Sequence, residues 1–197
     1  GYISDIRSFE YKNNQYPSLN DLGYSIYSPN IFKAVFGKTG YPYHTGITVY
    51  SQNPKTDRFL SFRMKGVKDY IVDKPTILIQ SAGQRYGLLG TPVYTDGSVR
   101  NFAATSDLIR IQHESKEFLA FAYCFLYSEF GQKSILQHSY GTSIPHINVK
   151  KLGTIQIPFN ESEILNIGSI AVKALENRIK AIELEDQAIS MIEREIG

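Results

Sequence analysis

The sequence predicts an α+β chain: a β-rich body with a few short helices, followed by one long C-terminal α-helix of the coiled-coil type. Three observations carry this reading. Between Tyr24 and Arg110, short runs rich in β-branched and aromatic residues alternate with Gly, Pro, Asn and Asp, the pattern of strands separated by turns. Over residues 115–130 the spacing of apolar residues changes to that of a helix. Over the last 37 residues, 161–197, apolar positions recur close to every 3.5 residues, a length better suited to a spacer or dimerisation arm than to a lid on its own core.

Taken in order, the expected strands are 47–50, 59–63, 76–80, 92–95 and 108–112, and Asp96-Gly97 has the chemistry of a tight hairpin turn. The helix over 115–130 places Phe118, Phe121, Ala122, Phe125 and Leu126 on one side, with Gly131 where a C-terminal cap would sit. An apolar pair, Ile135-Leu136, precedes a polar loop at 137–143, a short element at 148–152 and a strand-like run at 154–157 that Pro158 ends. Asn160 and Glu163 then form an N-x-x-E capping box, which starts the long helix near Glu161. Along it Leu175, Ile182, Ile189 and Ile196 fall at intervals of seven, with Val172 and Ile179 as a companion line that Asp186 and Glu193 interrupt. These six apolar residues are the expected helix–helix interface, and Gly168 is expected to weaken the first turns. The rival reading is a terminal helix packed on its own body. The boundaries that follow are a body at 1–158 and a helical arm at 159–197, with no internal repeat.

The size, 197 residues at 42% hydrophobic and 13% aromatic, suits one good core plus an appendage. No run approaches 18 apolar residues and no basic-then-apolar leader opens the chain, so a soluble, cytoplasmic protein is expected. Gly1 in first place suggests a piece of a longer polypeptide. The single cysteine, Cys124, excludes internal disulfides and cysteine zinc sites, and its apolar neighbours predict a buried, inert thiol. The net charge of +2 conceals an asymmetry. Residues 1–160 hold 17 Lys+Arg against 11 Asp+Glu, whereas residues 161–197 hold 4 against 8. A basic body concentrates polyanions around it, nucleic acid above all.

Several fragments imitate catalytic signatures and fail. Gly37-Lys38-Thr39 resembles the end of a phosphate-binding loop, but Phe32 stands where the pattern needs glycine. His113-Glu114 begins like a zinc-protease helix, yet Glu117 replaces the second histidine. Asp107 and Glu114 could imitate a nuclease pair, but an intervening strand puts them on the order of 20 Å apart, too far to share one magnesium ion. His44, His113, His138 and His146 lack metal-ligand spacing. The expectation is therefore no catalytic residue, no metal and no cofactor.

The order of the fragments adds a resemblance. Ile77-Leu78-Ile79-Gln80-Ser81-Ala82-Gly83 precedes Ala103-Ala104-Thr105-Ser106-Asp107-Leu108-Ile109-Arg110-Ile111. Then come the aromatic helix ending Phe130-Gly131-Gln132, the segment Tyr140-Gly141-Thr142-Ser143-Ile144-Pro145-His146-Ile147, the run Leu152-Gly153-Thr154-Ile155-Gln156-Ile157-Pro158, and the long helix. Over roughly residues 30–197 this resembles one target recognition domain and the conserved spacer helix of a DNA specificity (S) subunit from type I restriction-modification systems. It departs where such domains often carry Arg-Ser-Gly, here Gln80-Ser81-Ala82-Gly83, and Pro-Glu-Gln, here Asn160-Glu161-Ser162.

The resemblance implies a non-catalytic reader of double-stranded DNA, half of a two-domain subunit whose helices pair antiparallel. It implies partners as well: DNA methyltransferase (modification) subunits, a restriction subunit, and either a second half-subunit or a second copy of the chain. Two other functions are weighed against it. One is the recognition domain of a fused type II restriction-methyltransferase enzyme; the other is a protein-interaction module acting through its helix. No membrane is expected among the partners.

A reader of base edges needs paired donors and acceptors, with cations and hydroxyls for the phosphates. The polar, glycine-punctuated loop at 80–86 offers Gln80, Ser81, Gln84, Arg85 and Tyr86, and the loop at 137–146 offers Gln137, His138, Ser139, Tyr140, Thr142, Ser143 and His146. Lys33, Lys38, Arg63, Lys65 and Lys68 are candidates for phosphates, and Tyr41 and Tyr43 for sugars or a displaced base.

Overall fold

The computed structural model describes residues 16–84, 86–95 and 101–196; Arg85 and the Asp96-Gly97 turn lie outside them. Strands β1 (Ser25–Tyr27), β9 (Leu108–Gln112), β6 (Thr76–Gln80) and β7 (Pro92–Thr95) form an antiparallel sheet in that order. A second sheet has the order β2 (Phe36–Gly37), β4 (Phe59–Leu60), β3 (Tyr41–His44), β8 (Phe102–Ala104), β5 (Ile71–Val72), in which β3 and β8 run parallel. The helices are α1 (Gly46–Val49), α2 (Lys116–Tyr127), α3 (Glu129–Gln137), α4 (Val149–Leu152) and α5 (Glu161–Ile196). A short ribbon pairs β10 (Ser139–Tyr140) with β11 (His146–Ile147).

The apolar run Ile77-Leu78-Ile79 in β6, and the apolar residues flanking Arg110 in β9, follow from burial on both faces. Ile77, Ile79, Ile109 and Ile111 face the helices with Leu119, Phe121, Leu126, Ile135 and Ile164. Their alternates Leu78 and Leu108 pack against Val49, Val72, Phe102 and Ala104 beneath the second sheet. Arg110 shares that second face and is only 1% exposed. Its Nη2 donates to the carbonyls of Tyr70 (3.1 Å) and Ala104 (3.2 Å), so one cation ties the two sheets together.

Four local expectations are corrected. Residues 47–50 are not a strand: the Thr48 hydroxyl accepts from the Thr45 amide (2.8 Å) and donates to its carbonyl (3.1 Å), closing a turn of helix despite the β-branched composition. Gly131 is not a cap. The helix breaks at Ser128, whose hydroxyl donates to the Phe125 carbonyl and accepts from the Gly131 amide, and α3 resumes at once. A Cβ on Gly131 would stand 2.0 Å from the Phe125 carbonyl oxygen, so glycine permits this tight corner. Cys124 is exposed on α2, although partial burial still raises its pKa. The run at 154–157 reduces to a single bridge, Ser18 with Gln156.

The capping box at the start of α5 is present: the Asn160 amide donates to Glu163 (2.8 Å) and the Glu163 amide to Asn160 Oδ1 (2.9 Å). The helix is 36 residues long, or about 54 Å at 1.5 Å per residue. Its first turns belong to the body. Ile164 and Ala171 are buried, and at Gly168 the crossing with α2 is so close that a Cβ would lie 2.2 Å from the Glu117 carbonyl oxygen.

His44 is sealed under this arm, edge-on to Phe102, and its Nδ1 has no partner among the described residues. Burial depresses its pKa, and burial together with Lys151 depresses that of His138. The unfolded chain therefore takes up protons that the folded chain refuses once the pH falls below the ordinary histidine value of about 6.5, and stability declines there. Thermal unfolding followed between about pH 7.5 and 5.5 should show a falling midpoint, and His44→Gln should reduce the fall.

Candidate nucleic-acid interface

The two polar loops picked out by composition meet at one end of the first sheet. Ala82 bridges His146, the Gly83 amide donates to the Pro145 carbonyl (3.1 Å), and the Ile147 amide donates to the Ser81 carbonyl (2.8 Å). Gly83 (φ +147°) and Gly141 (φ +89°) take backbone conformations that side-chain-bearing residues avoid, which explains the glycines within these polar runs. Gln84, Thr142, Ser143 and His146 are exposed, Ser81 and Ser139 are half-buried, and Tyr86 stands 91% exposed. Tyr140 is exposed and stacks on His146 with centroids 5.9 Å apart. The cluster carries donors, acceptors and flat rings on a framework held by backbone hydrogen bonds, which is what base-edge contact requires.

Not every candidate joins it. Gln80 is turned inward: its Nε2 donates to the Ala82 carbonyl (3.1 Å), its amide donates to Tyr50 Oη (3.0 Å), and its side chain presses on Gly46 of α1. It shapes the loop rather than reaching out. Gln137 and His138 line a separate cleft with Tyr16 and Gln156 at the end of α3. Tyr43 is 9% exposed in a small core with Leu60 and Met64, with Phe36 edge-on and Arg58 over its ring, so it forms part of the wall of an open groove beside α1 rather than standing free to stack on a sugar or base. Tyr41 is half-buried with its ring edge-on to Phe62 at 4.9 Å.

Lys33, Lys38, Arg63 and Lys65 are exposed on loops of the second sheet, and Lys68 is exposed on the 3-10 turn Val67–Tyr70, where it lines a cleft with Tyr27 and Gln112 at the end of the first sheet away from the joined loops; among the described residues none of the five is in an ion pair. Sequence reasoning missed Arg58. Its guanidinium lies 4.2 Å from the centroid of Phe36, and with Thr45, Thr48 and Lys55 it lines an open groove beside α1. The placement of Arg58 directly before Phe59, in a basic stretch interleaved with aromatics, was the available signal. Among the described residues no cluster of histidine, cysteine or acidic side chains could hold a metal ion, and no helix is long and apolar enough to cross a membrane.

The apolar line expected as a helix–helix interface is corrected in part. Val172, Leu175, Ile179 and Ile182 are half-buried against their own body. The last three, with Arg178, close over His44, Val49, Val93 and Phe102 across a cavity of about 50 Å³. Farther on, Asp186 accepts from Asn53 Nδ2 and Lys55 Nζ, both at 2.9 Å, which pins the arm to the body and depresses the Asp186 pKa. Only Ile189 and Ile196 of the six are exposed. A different line faces outward: Ile170, Ala174, Ala181, Leu184, Ala188 and Met191, with Ile192 beside it, all exposed. Its spacing is again alternately three and four, once Asn177 is counted, and it lies roughly 160° around the helix from the covered line, on nearly the opposite face.

The family described as type I restriction modification DNA specificity domain matches residues 9–194. Among solved structures the chain resembles the type-I restriction-modification system S subunit from M. genitalium, at 21% identity and TM-score 0.54, over 90% of this chain and 45% of that one. It resembles a structure on complex assembly and conformational transition of the type I R-M system at 13% identity and TM-score 0.53, over 91% and 43% of the two chains. The HsdS subunit from Thermoanaerobacter tengcongensis matches at 14% identity and TM-score 0.50, over 87% and 39%. At these identities the likeness is one of fold, and the chain spans less than half the length of each structure. No curated protein matches the chain.

Proposed function

From the premise that the chain belongs to the family of type I restriction modification DNA specificity domains, we propose that it is a non-catalytic module that reads a double-stranded DNA sequence through its joined loops. The observation that carries this is the bridge between Ala82 and His146, which makes one surface of two loops distant in sequence. Gln84, Arg85, Tyr86, Tyr140, Thr142, Ser143 and His146 are the proposed base-reading set. Lys33, Lys38, Arg63, Lys65 and Lys68 hold phosphates, and the excess of cations in residues 1–160 draws the duplex in.

The body and the arm divide the work. Residues 1–158 form the reading head, and residues 159–197 the spacer, whose first turns the head has absorbed into its core. The outward line from Ile170 to Met191 pairs antiparallel with the equivalent helix of a second half-subunit or second copy. Charge supports that direction. Residues 170–182 hold three Lys+Arg against one acid, and residues 183–196 hold five acids against Arg194, so an antiparallel partner lays its acidic end on the basic middle. Methyltransferase subunits, and through them a restriction subunit, are the remaining proposed partners, in the cytoplasm where such DNA lies.

Selection from a pool of random duplexes, with the partner methyltransferase present, tests the reading. A single enriched motif is expected, whereas no enrichment at moderate salt contradicts it. Lys65→Ala and Lys68→Ala should each weaken binding evenly across sequences and reduce the steepness of the salt dependence by roughly one unit per lost phosphate contact.

A further inference from the structure

Helix α1 displays an isoleucine with no role in the fold. Val49, two residues on, is buried in the core, yet Ile47 is 80% exposed. The turn that carries it is held from several sides. The Thr48 hydroxyl closes it onto Thr45, and Gly46 is in close contact with the Gln80 side chain. Tyr50 Oη accepts from the Gln80 amide and donates to the Thr91 carbonyl. The Thr105 amide donates to the His44 carbonyl (3.1 Å), and the Gly90 amide to the Gln80 carbonyl (2.9 Å). Ile47 is thus fixed at the root of the loop that follows β6, on the same end of the sheet as the Ala82–His146 bridge. Its neighbours on the other side are polar and charged: Thr45, Thr48, Lys55, Asp57 and Arg58 line the adjoining groove, with Lys55 held by Asp186 and the Arg58 guanidinium in no ion pair among the described residues.

A rigid apolar tip between hydroxyls, guanidinium and a polar loop fits a partner that is anionic at its edges and offers one apolar group between them. In the major groove of a duplex the apolar group on a base edge is the 5-methyl of thymine. We propose that Ile47 contacts the 5-methyl group of a thymine in the target duplex, making α1 a third recognition segment beside the two loops. The proposal rests on the DNA-reading function above. It adds a residue, and a base chemistry, that neither polar loop supplies.

The probe is the duplex enriched from the random pool by the full chain with its methyltransferase, remade with deoxyuridine in place of each thymine in turn. Uracil lacks the methyl and keeps every hydrogen-bonding group. At one position the wild-type chain should bind the uracil duplex about fourfold more weakly, the effect of one buried methyl. Ile47→Ala should bind the thymine duplex correspondingly weakly and no longer distinguish thymine from uracil there, with its salt dependence unchanged. The side chain is exposed, so the substitution leaves the fold intact.

Indifference of the wild-type chain to every uracil overturns the proposal, as does full discrimination retained by Ile47→Ala or an enriched motif without thymine. In each of these cases the DNA reading survives. A chain that enriches no duplex overturns both.

Discussion

Leu184→Glu should leave the melting temperature of the head unchanged and weaken pairing of the helical arms by about a hundredfold or more. The side chain is 55% exposed, so the folded chain loses little. In an antiparallel pair it packs against the partner helix, where burying a leucine contributes about 1.5–3 kcal/mol. Both copies lose that burial and both gain an unpaired carboxylate, so the loss is counted twice. Sedimentation equilibrium on wild type and variant measures it. Ile182→Glu is the informative contrast, because Ile182 closes the cavity over His44 and Val49; that change should lower the stability of the head itself. Unchanged association in Leu184→Glu would show that the outward line of Ile170, Ala174, Ala181, Leu184, Ala188 and Met191 is not the pairing face. The alanines in that line allow two helix backbones to approach closely, so Ala181→Glu should act in the same direction.

The second large effect concerns Gly168→Ala, where two physical terms oppose each other. In an exposed helix the substitution favours the helix by about 1 kcal/mol, because alanine has less backbone freedom to lose. Here the new Cβ would stand 2.2 Å from the Glu117 carbonyl oxygen and 2.7 Å from its carbonyl carbon, in the backbone of α2. Backbone cannot rotate aside as a side-chain tip can, and forcing packed elements apart costs about 1–3 kcal/mol or more. The clash should win, lowering the melting temperature by several degrees, on the scale of about 2–4 °C per kcal/mol for a chain of this size. A melting temperature raised by Gly168→Ala would mean that α2 and α5 do not cross this closely. The glycine that reads as a weak point of the helix is, in the fold, its contact point with the body.

That glycine illustrates what a one-dimensional pattern can convey. The strands at 76–80 and 108–112, the helix beginning at Lys116 and the Asn160–Glu163 box were legible because the deciding interactions are local or the periodicity is long. The line Val172, Leu175, Ile179, Ile182 was legible as a covered stripe, but periodicity does not say what covers it. Its cover proved to be the body of the same chain. Residues 47–50 were misread because β-branched composition weighs on propensity, and the Thr45–Thr48 hydrogen bonds outweigh it. In the candidate interface, the two polar loops were visible as side-chain chemistry punctuated by glycine, yet nothing in the sequence brings 82 next to 146. Gln80 and Tyr43 were misassigned for one reason: residue type gives a side chain's chemistry, whereas its direction depends on packing. Arg58 and Ile47 escaped notice because one is a single cation and the other a single apolar residue in a run that reads as strand.

The two loops joined by the Ala82–His146 bridge are proposed to touch DNA as one surface. Amide hydrogen exchange of the full chain with its methyltransferase, with and without the enriched duplex, tests this most directly. Protection should rise together in residues 81–91 and 139–147, with the exposed half of α5 unaffected by the duplex. Protection confined to α5, or present in one loop and absent from the other, would contradict the account.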